Sequence, residues 1–233
     1  MNNHPGSPPK PAGAFWVRIF RVRGIGVHVD PTILLTLACV VLLAGGSLIL
    51  LAILLGCALV HEFGHALTAR RCGLVVTGIY LHVVALAHVQ RGHPRDTFLV
   101  SLAGPLANVL LGVLLLAMFR PGVSLPGADV MDWIADPVRA AIGCNLLMGT
   151  VNLVPLMPAD GGHALQALVR MRSGPAIAHA VSAIVNTMGG MTFMVMSVQG
   201  ESCLGSDLLF VLGIAVCFFG WRETRAAIRR GTS

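Results

Sequence analysis

Two histidines and a glutamate lie in one apolar stretch of the chain, in the run Val60-His61-Glu62-Phe63-Gly64-His65. Residues four apart share one face of an α-helix, so His61 and His65 can present both imidazoles to one metal ion. Glu62 can then act as general base on a water that the metal activates. Residues 47–60 are almost wholly apolar, so this site is expected below the membrane surface. The spacing therefore predicts metal-assisted hydrolysis inside a bilayer.

A third ligand must join the two histidines, because a catalytic zinc ion usually takes three protein ligands and one water. Glu62 lies within one apolar stretch, and Asp160 lies three residues beyond the end of another. A carboxylate at membrane depth is costly and is a candidate for function. Pro155 and Pro158 are expected to break the preceding helix, and Gly161-Gly162 is expected to turn the backbone tightly. That geometry can bring Asp160 back toward the histidines.

The composition indicates which class of protein carries these residues. Of the 233 residues, 55% are hydrophobic and 11% are charged, whereas soluble domains average about 25% charged residues. The chain is therefore expected to be an all-α polytopic membrane protein with about six transmembrane helices and a small β-sheet at the membrane edge. Apolar segments of membrane length lie near residues 31–45, 47–69, 97–119, 138–157, 175–198 and 206–221.

The placement of basic residues favours six crossings with both termini in the cytoplasm. Lys and Arg collect in cytoplasmic loops, and six crossings put Arg70, Arg71, Arg91 and Arg95 on the side of the termini. One long helix over 31–60 would put these arginines on the opposite side. A compact chain without appended domains is typical of a prokaryotic plasma (inner) membrane, which is the predicted location of this multi-pass protein.

The parts outside the membrane are expected to be short. Residues 1–20 are Pro-rich and polar, and they are predicted to form a disordered tail without the apolar core of a cleaved signal peptide. Residues 222–233 form a basic C-terminal tail whose arginines contact anionic headgroups. The lipid bilayer is thus a partner, and no nucleic-acid partner is expected. The intramembrane catalytic domain spans 21–221.

Two segments are predicted to form strands of the small sheet. Ile25, Val27 and Val29 alternate with small or polar residues, which is a strand pattern. Residues 74–90 are rich in β-forming types and carry no charged side chain. A substrate segment that unwinds from its helix is expected to pair with the 74–90 strand by β-strand addition.

Three motifs follow one another along the chain: residues 61–65 (His-Glu-Phe-Gly-His), 101–108 (Ser-Leu-Ala-Gly-Pro-Leu-Ala-Asn) and 152–162 (Asn-Leu-Val-Pro-Leu-Met-Pro-Ala-Asp-Gly-Gly). In this order they resemble the site-2 protease family of intramembrane zinc metalloproteases, from about Arg21 to the last apolar segment. In the region after the second helix the family usually has Gly-Gly-x-Ala. This chain reads Val-Val-Ala-Leu-Ala at 83–87, so the approach of a substrate strand is expected to differ.

The resemblance implies a core of three helices around one catalytic Zn²⁺. The implied ligands are His61, His65 and Asp160, and the implied catalytic residues are Glu62 as general base and Asn152 as a donor to the tetrahedral oxyanion. The implied function is an intramembrane zinc endopeptidase that hydrolyses peptide bonds in or near transmembrane segments, in regulated intramembrane proteolysis. Single-span membrane proteins are the implied substrates, such as anti-sigma factors or membrane-tethered transcription factors. Neither a PDZ insertion nor a C-terminal nucleotide-sensing domain is expected.

Other interpretations stay open from the sequence alone. The chain fits a catalytically silent zinc-binding protein that binds transmembrane helices, or a metal transporter, since intramembrane His and Asp also mark ion pathways. The presence of Glu62 favours an active enzyme. Asp160 fits a helix cap, Asn152 and Asn108 fit interhelical hydrogen bonding, and His163 is an alternative ligand. The oligomeric state cannot be deduced.

Overall fold

The architecture was taken from a computed structural model of the chain. It describes residues 17–22, 24–29, 38, 42, 48–81, 86–89, 92–119, 136–199 and 204–231. These residues form four strands, β1 (Val17–Val22), β2 (Ile25–Val29), β3 (Val76–Leu81) and β4 (Leu86–Val89). They also form five helices: α1 (Leu48–Arg71), α2 (Pro94–Phe119), α3 (Pro137–Leu153), α4 (Asp160–Gln199) and α5 (Leu204–Gly231).

The chain divides into two compact units. The first unit comprises Met1–Arg91 and Ala103–Thr150, and the second comprises Gly92–Leu102 and Val151–Ser233. The first unit therefore contains the sheet, α1, most of α2 and most of α3. The second unit contains α4 and α5.

Among the described residues, three helices are long and apolar enough to cross a membrane: Leu48–Arg71, Pro94–Phe119 and Asp160–Val198. The first two match the predicted spans at 47–69 and 97–119. α3 has 17 residues, which is near the lower limit for a span. Of the predicted span at 31–45, the structure describes Ala38 and Leu42, and the rest lies outside the described residues. The number of six crossings stays a prediction.

The sheet of the first unit has the order β1-β2-β3-β4. β2 pairs parallel with β3, and the two outer pairs are antiparallel. A parallel pair needs a long crossover connection, and α1 lies in the segment that links β2 to β3. Ile25, Val27 and Val29 are buried in one cluster with Ala66 of α1 and Ile79 of β3. This confirms the strand pattern of β2 and seats the sheet beside His65, the neighbour of Ala66.

β1 corrects one predicted boundary, because it begins at Val17, inside the segment 1–20 that is predicted to be a disordered tail. The prolines of that segment dominate its composition and obscure the β-forming residues at its end. β1 folds back on β2 through Gly24, whose φ of 85° suits glycine. Residues 1–16 lie outside the described residues.

α4 is two helices joined at Gly174, which has φ 82° and ψ 173°. Pro175 follows and cannot donate a helical hydrogen bond, so the helix kinks there. The helical structure runs through Gly189-Gly190. A Cβ on Gly190 would lie 2.5 Å from Cys217 Sγ of α5. These glycines therefore serve close helix packing, as small residues do in membranes.

α5 continues to Gly231, beyond the predicted domain boundary at residue 221. The predicted C-terminal tail is thus helical over most of its length. Two of its arginines lie over aromatic rings of the same helix: Arg222 is 5.4 Å from the Phe219 ring centre, and Arg225 is 4.9 Å from that of Trp221. Such cation–π contacts suit a helix end at a membrane surface.

Candidate metal centre

α1 places His61, Glu62 and His65 in a buried position. His61 and His65 are each 7% exposed and Glu62 is 3% exposed, although they lie in a largely apolar helix. The two imidazole rings meet edge to face, with their centres 4.7 Å apart. A ligand nitrogen of one lies within 4.8 Å of a ligand nitrogen of the other. The helical spacing thus brings the two histidines together as the sequence predicts.

Two glycines allow α1 and α2 to approach closely at this point. A Cβ on Gly104 would lie 2.4 Å from His65 Nε2, and a Cβ on Gly64 would lie 2.6 Å from the carbonyl oxygen of Ala103. Any side chain at residue 104 would therefore fill the space next to the Nε2 atom of His65. Gly104 therefore serves the close packing of α2 against α1.

Asn108 of α2 fixes the orientation of His61. Its Oδ1 lies 3.0 Å from His61 Nδ1, while its Nδ2 donates to the carbonyl oxygen of Cys57 at 3.1 Å and to Asn145 Oδ1 at 3.0 Å. Because both neighbours of Nδ2 are acceptors, the amide oxygen must face the histidine. Nδ1 of His61 therefore carries a proton, and its Nε2 presents a lone pair to a metal ion.

Asn145 of α3 completes this network and is absent from every motif in the sequence. Its Nδ2 donates to the carbonyl oxygen of Ala141 at 2.8 Å, which leaves its Oδ1 for Asn108. Both asparagines are buried. The signal in the sequence is an asparagine inside an apolar helix, since such residues form interhelical hydrogen bonds in membranes. Asn108 thus makes interhelical hydrogen bonds, as one interpretation of the sequence expects. One of these bonds joins it to His61.

Asp160 is the first residue of α4 in the second unit, and its side chain is half-buried. α3 ends at Leu153, as the prolines predict, and a short irregular segment follows. The predicted tight turn at Gly161-Gly162 is wrong, because both glycines lie in the first helical turn. There a Cβ on Gly161 would lie 2.3 Å from the carbonyl oxygen of Leu153. The glycines are needed for close backbone approach, which lets α4 begin immediately at Asp160.

The segment before Asp160 is held by Asn186 from the second half of α4. Asn186 Oδ1 accepts a hydrogen bond from the backbone N–H of Met157 at 2.8 Å, and its Nδ2 donates to the carbonyl oxygen of Ser182 at 2.7 Å. Asn186 is 1% exposed, so this bond is shielded from water. Asn152 lies half-buried in the last turn of α3, and His163 is exposed on α4.

The residues of this centre fit a zinc ion. His61 and His65 present two adjacent imidazole donors, and two imidazoles with one carboxylate are typical of catalytic zinc. The hydrogen bond from His61 to Asn108 is the outer contact that zinc-binding histidines usually make. The ligand roles themselves and the catalytic roles of Glu62 and Asn152 stay predictions.

Comparisons with known proteins agree with this chemistry. The model of Peptidase family M50 matches residues 49–142 and 123–196. The protein Rip3 of Mycobacterium tuberculosis, whose name describes a zinc metalloprotease, is 31% identical over 185 residues, which is 76% of this chain and 44% of the relative. Zinc metalloprotease MJ0392 of Methanocaldococcus jannaschii is 24% identical over 211 residues, which is 88% of this chain and 59% of the relative.

A solved structure shares the fold. The site-2 protease from Methanocaldococcus jannaschii superposes with a TM-score of 0.60 at 20% sequence identity, covering 90% of this chain and 95% of that chain. The chain spans about half the length of the curated relatives it matches.

Proposed function

Since the chain belongs to peptidase family M50, the family of the site-2 proteases, we propose that it is an intramembrane zinc endopeptidase. It hydrolyses peptide bonds in or near transmembrane segments of other proteins. The observation that carries this proposal is the buried His61-Glu62-His65 face of an apolar helix, with Asn108 bonded to His61. A buried carboxylate beside two adjacent imidazoles, one of them oriented by Asn108, suits hydrolysis better than the successive sites of a metal transporter.

The proposed mechanism assigns one task to each residue. His61, His65 and Asp160 would hold the zinc ion, which when bound would supply Lewis-acid chemistry to the scissile carbonyl and to water. Glu62 accepts a proton from the attacking water and passes it to the leaving amine. Asn152 donates a hydrogen bond to the developing oxyanion.

Asn108 prepares His61 for this reaction. By accepting the Nδ1 proton, it selects one tautomer and prevents the ring from flipping. His61, Glu62 and His65 are buried, so these polar groups act at low dielectric, where their fields are strong. The chain thus prepares the site before a substrate arrives.

We propose single-span membrane proteins as substrates, such as anti-sigma factors or membrane-tethered transcription factors cleaved in regulated intramembrane proteolysis. A helical substrate must unwind near the scissile bond, because its carbonyls are otherwise engaged in helical hydrogen bonds. β4 is an edge strand of the described sheet, and α1 contacts it. An extended substrate segment pairs with β4 and lies beside the helix that carries Glu62.

The apolar helices and the family place the chain in a membrane. We further propose that this is a prokaryotic plasma membrane and that both termini are cytoplasmic. The basic residues Arg70 and Arg71 in the last turn of α1 then lie in the cytoplasm. His65 is five residues before Arg70, about 8 Å along the helix, so water reaches the site from the cytoplasmic side.

Cleavage of a single-span test substrate in liposomes tests the proposal. Wild type is expected to cut within the transmembrane segment, and Glu62→Gln is expected to retain the fold and zinc but not to cut. Cleavage by Glu62→Gln near the wild-type rate would remove the general base from the mechanism. Zinc-loaded, folded wild type that cuts no member of a panel of single-span proteins would favour the silent, helix-binding alternative.

A further inference from the structure

A second polar cluster lies in the second unit and takes no part in the mechanism above. It consists of Gln166 in the first half of α4, His179 in the second half of α4, and Glu223 in α5. Glu223 Oε2 lies 2.6 Å from Gln166 Nε2 and 2.5 Å from His179 Nδ1. The side chains of His179 and Glu223 are 13% and 18% exposed, so the cluster is largely withdrawn from solvent.

One carboxylate oxygen accepts both hydrogen bonds of this cluster. An ionised carboxylate has no proton to give, so Gln166 Nε2 and His179 Nδ1 are both donors to it. These two nitrogens lie 3.1 Å apart, side by side on a shared acceptor rather than bonded to each other. Hydrogen bonds to a charged acceptor are about twice as strong as neutral ones. Glu223 therefore binds two separate segments firmly.

The two segments that Glu223 binds lie on opposite sides of the α4 kink. Gln166 precedes Gly174, and His179 follows it; Gly174 has the non-helical φ of 82°. A Cβ at Gly174 would meet nothing within 4 Å, so packing around that residue does not set the kink angle. The helical hydrogen-bond ladder is interrupted there as well. A carboxylate on a third segment that bonds to both halves fixes the angle between them.

The first half of α4 carries Asp160 at its N-terminus. Gln166 is six residues along the helix, which corresponds to about 9 Å from Asp160. A rotation of this short helix about the kink would therefore displace the Asp160 carboxylate by a distance comparable to a metal–ligand bond or more. Catalytic groups must be held to within about 0.5 Å of their working geometry.

We propose that Glu223 is a positioning residue for the metal centre. Through Gln166 and His179 it holds the two halves of α4 at a fixed angle, and it thereby holds Asp160 in place as a metal ligand. This inference rests on the proposed function, because it takes from it the role of Asp160.

Hydrogen–deuterium exchange of the zinc-free, detergent-purified full chain tests the clamp without depending on metal or substrate. Glu223→Leu removes the acceptor and is expected to accelerate amide exchange over residues 160–173, with residues 48–71 unchanged. Glu223→Gln retains a carbonyl oxygen that accepts from both donors, so it is expected to restore near wild-type exchange. Thr224→Val is the matched control on the same helix, because the Thr224 hydroxyl bonds to the carbonyl of Gly220 in its own helix.

Zinc affinity, measured by chelator competition on the same variants, tests the link to Asp160. The dissociation constant of Glu223→Leu is expected to rise about tenfold, as for losses of other residues that orient ligands, with Glu223→Gln and Thr224→Val near wild type. Unchanged exchange over 160–173 in Glu223→Leu would overturn the clamp. Faster exchange with unaltered zinc affinity would overturn the positioning role. Failure of wild type to bind zinc would instead refute the proposed function, and the exchange data would still decide the clamp.

Discussion

His61 Nδ1 and Asn108 Oδ1 lie 3.0 Å apart in the buried interior of the first unit. The other bonds of the Asn108 amide, to Cys57 and Asn145, leave only its oxygen for the histidine. The proton position on His61 is thus set by a chain of hydrogen bonds that ends at a backbone carbonyl. This relationship links the packing of three helices to the tautomer of His61, which is a proposed metal ligand.

Removal of the Asn108 side chain is expected to weaken metal binding. In Asn108→Ala the Nδ1–H group of His61 loses its acceptor, so the ring is free to adopt the wrong tautomer. Zinc affinity should fall about 10- to 100-fold, and the unpaired polar groups should lower the unfolding free energy by about 1–3 kcal/mol. Chelator competition and thermal unfolding measure the two effects. Thr150→Val serves as the control, because Thr150 bonds within its own helix; equal zinc affinity in Asn108→Ala and this control would contradict the prediction.

Asn145 is expected to act on His61 through Asn108 alone. Asn145→Leu removes the acceptor for Asn108 Nδ2 and should weaken zinc binding less than Asn108→Ala does. In the Asn108→Ala background, Asn145→Leu should change zinc affinity little, because the Asn108 side chain that connects Asn145 to His61 is absent. A double-mutant cycle of zinc dissociation constants measures this coupling. Additive effects of the two substitutions would show that Asn145 acts by another route.

The close approach of α1 and α2 is expected to depend on glycine at specific positions. In Gly104→Ala the new Cβ would meet His65 Nε2 at 2.4 Å, so zinc binding should be lost. Gly56→Ala is the matched control on α1, since its Cβ would meet nothing within 4 Å; it should stabilise the helix by about 0.5–1 kcal/mol. The zinc content and the thermal stability of both variants test these two expectations. Zinc binding by Gly104→Ala at the wild-type level would refute the described packing.

The kink of α4 is expected to need glycine at residue 174. Its φ of 82° is unfavourable for any residue with a Cβ, even though the surrounding space is open. Gly174→Ala should therefore destabilise the fold by about 1–3 kcal/mol, because this combination of φ and ψ is essentially restricted to glycine. Gly73→Asn, at another positive φ, should be tolerated because asparagine is frequent among non-glycine residues with positive φ. Chemical denaturation in detergent compares the two. Wild-type stability of Gly174→Ala would mean that the chain is helical through this residue.

Part of this site could be predicted from the sequence because it depends on local geometry. The spacing of His61 and His65 fixes their common face by helix periodicity alone, and the prolines after Leu153 mark the end of α3. Asn108 could be nominated from its motif, but its bond to His61 depends on how two helices pack. Asn145 belongs to no motif, so the sequence does not distinguish it from other polar residues in apolar helices.

The wrong predictions concern features that also depend on contacts with distant segments of the chain. Gly161-Gly162 resembles a turn in sequence, since glycine is frequent in turns, but here it allows backbone contact within a helix. In the sequence, the neighbouring prolines hide the strand pattern of β1. The strand forms because it pairs with β2. Both features are set by partners that are outside the local segment.

The most direct test of the account is the zinc content per chain of detergent-purified wild type, Glu62→Gln and Asp160→Ala. We expect one zinc ion in wild type and in Glu62→Gln, because Glu62 is proposed as the base and not as a ligand. We expect that zinc is lost from folded Asp160→Ala, because the two histidines alone are an incomplete ligand set. Full zinc content in Asp160→Ala would remove the carboxylate as an essential ligand, and a folded wild type without zinc would contradict the central claim.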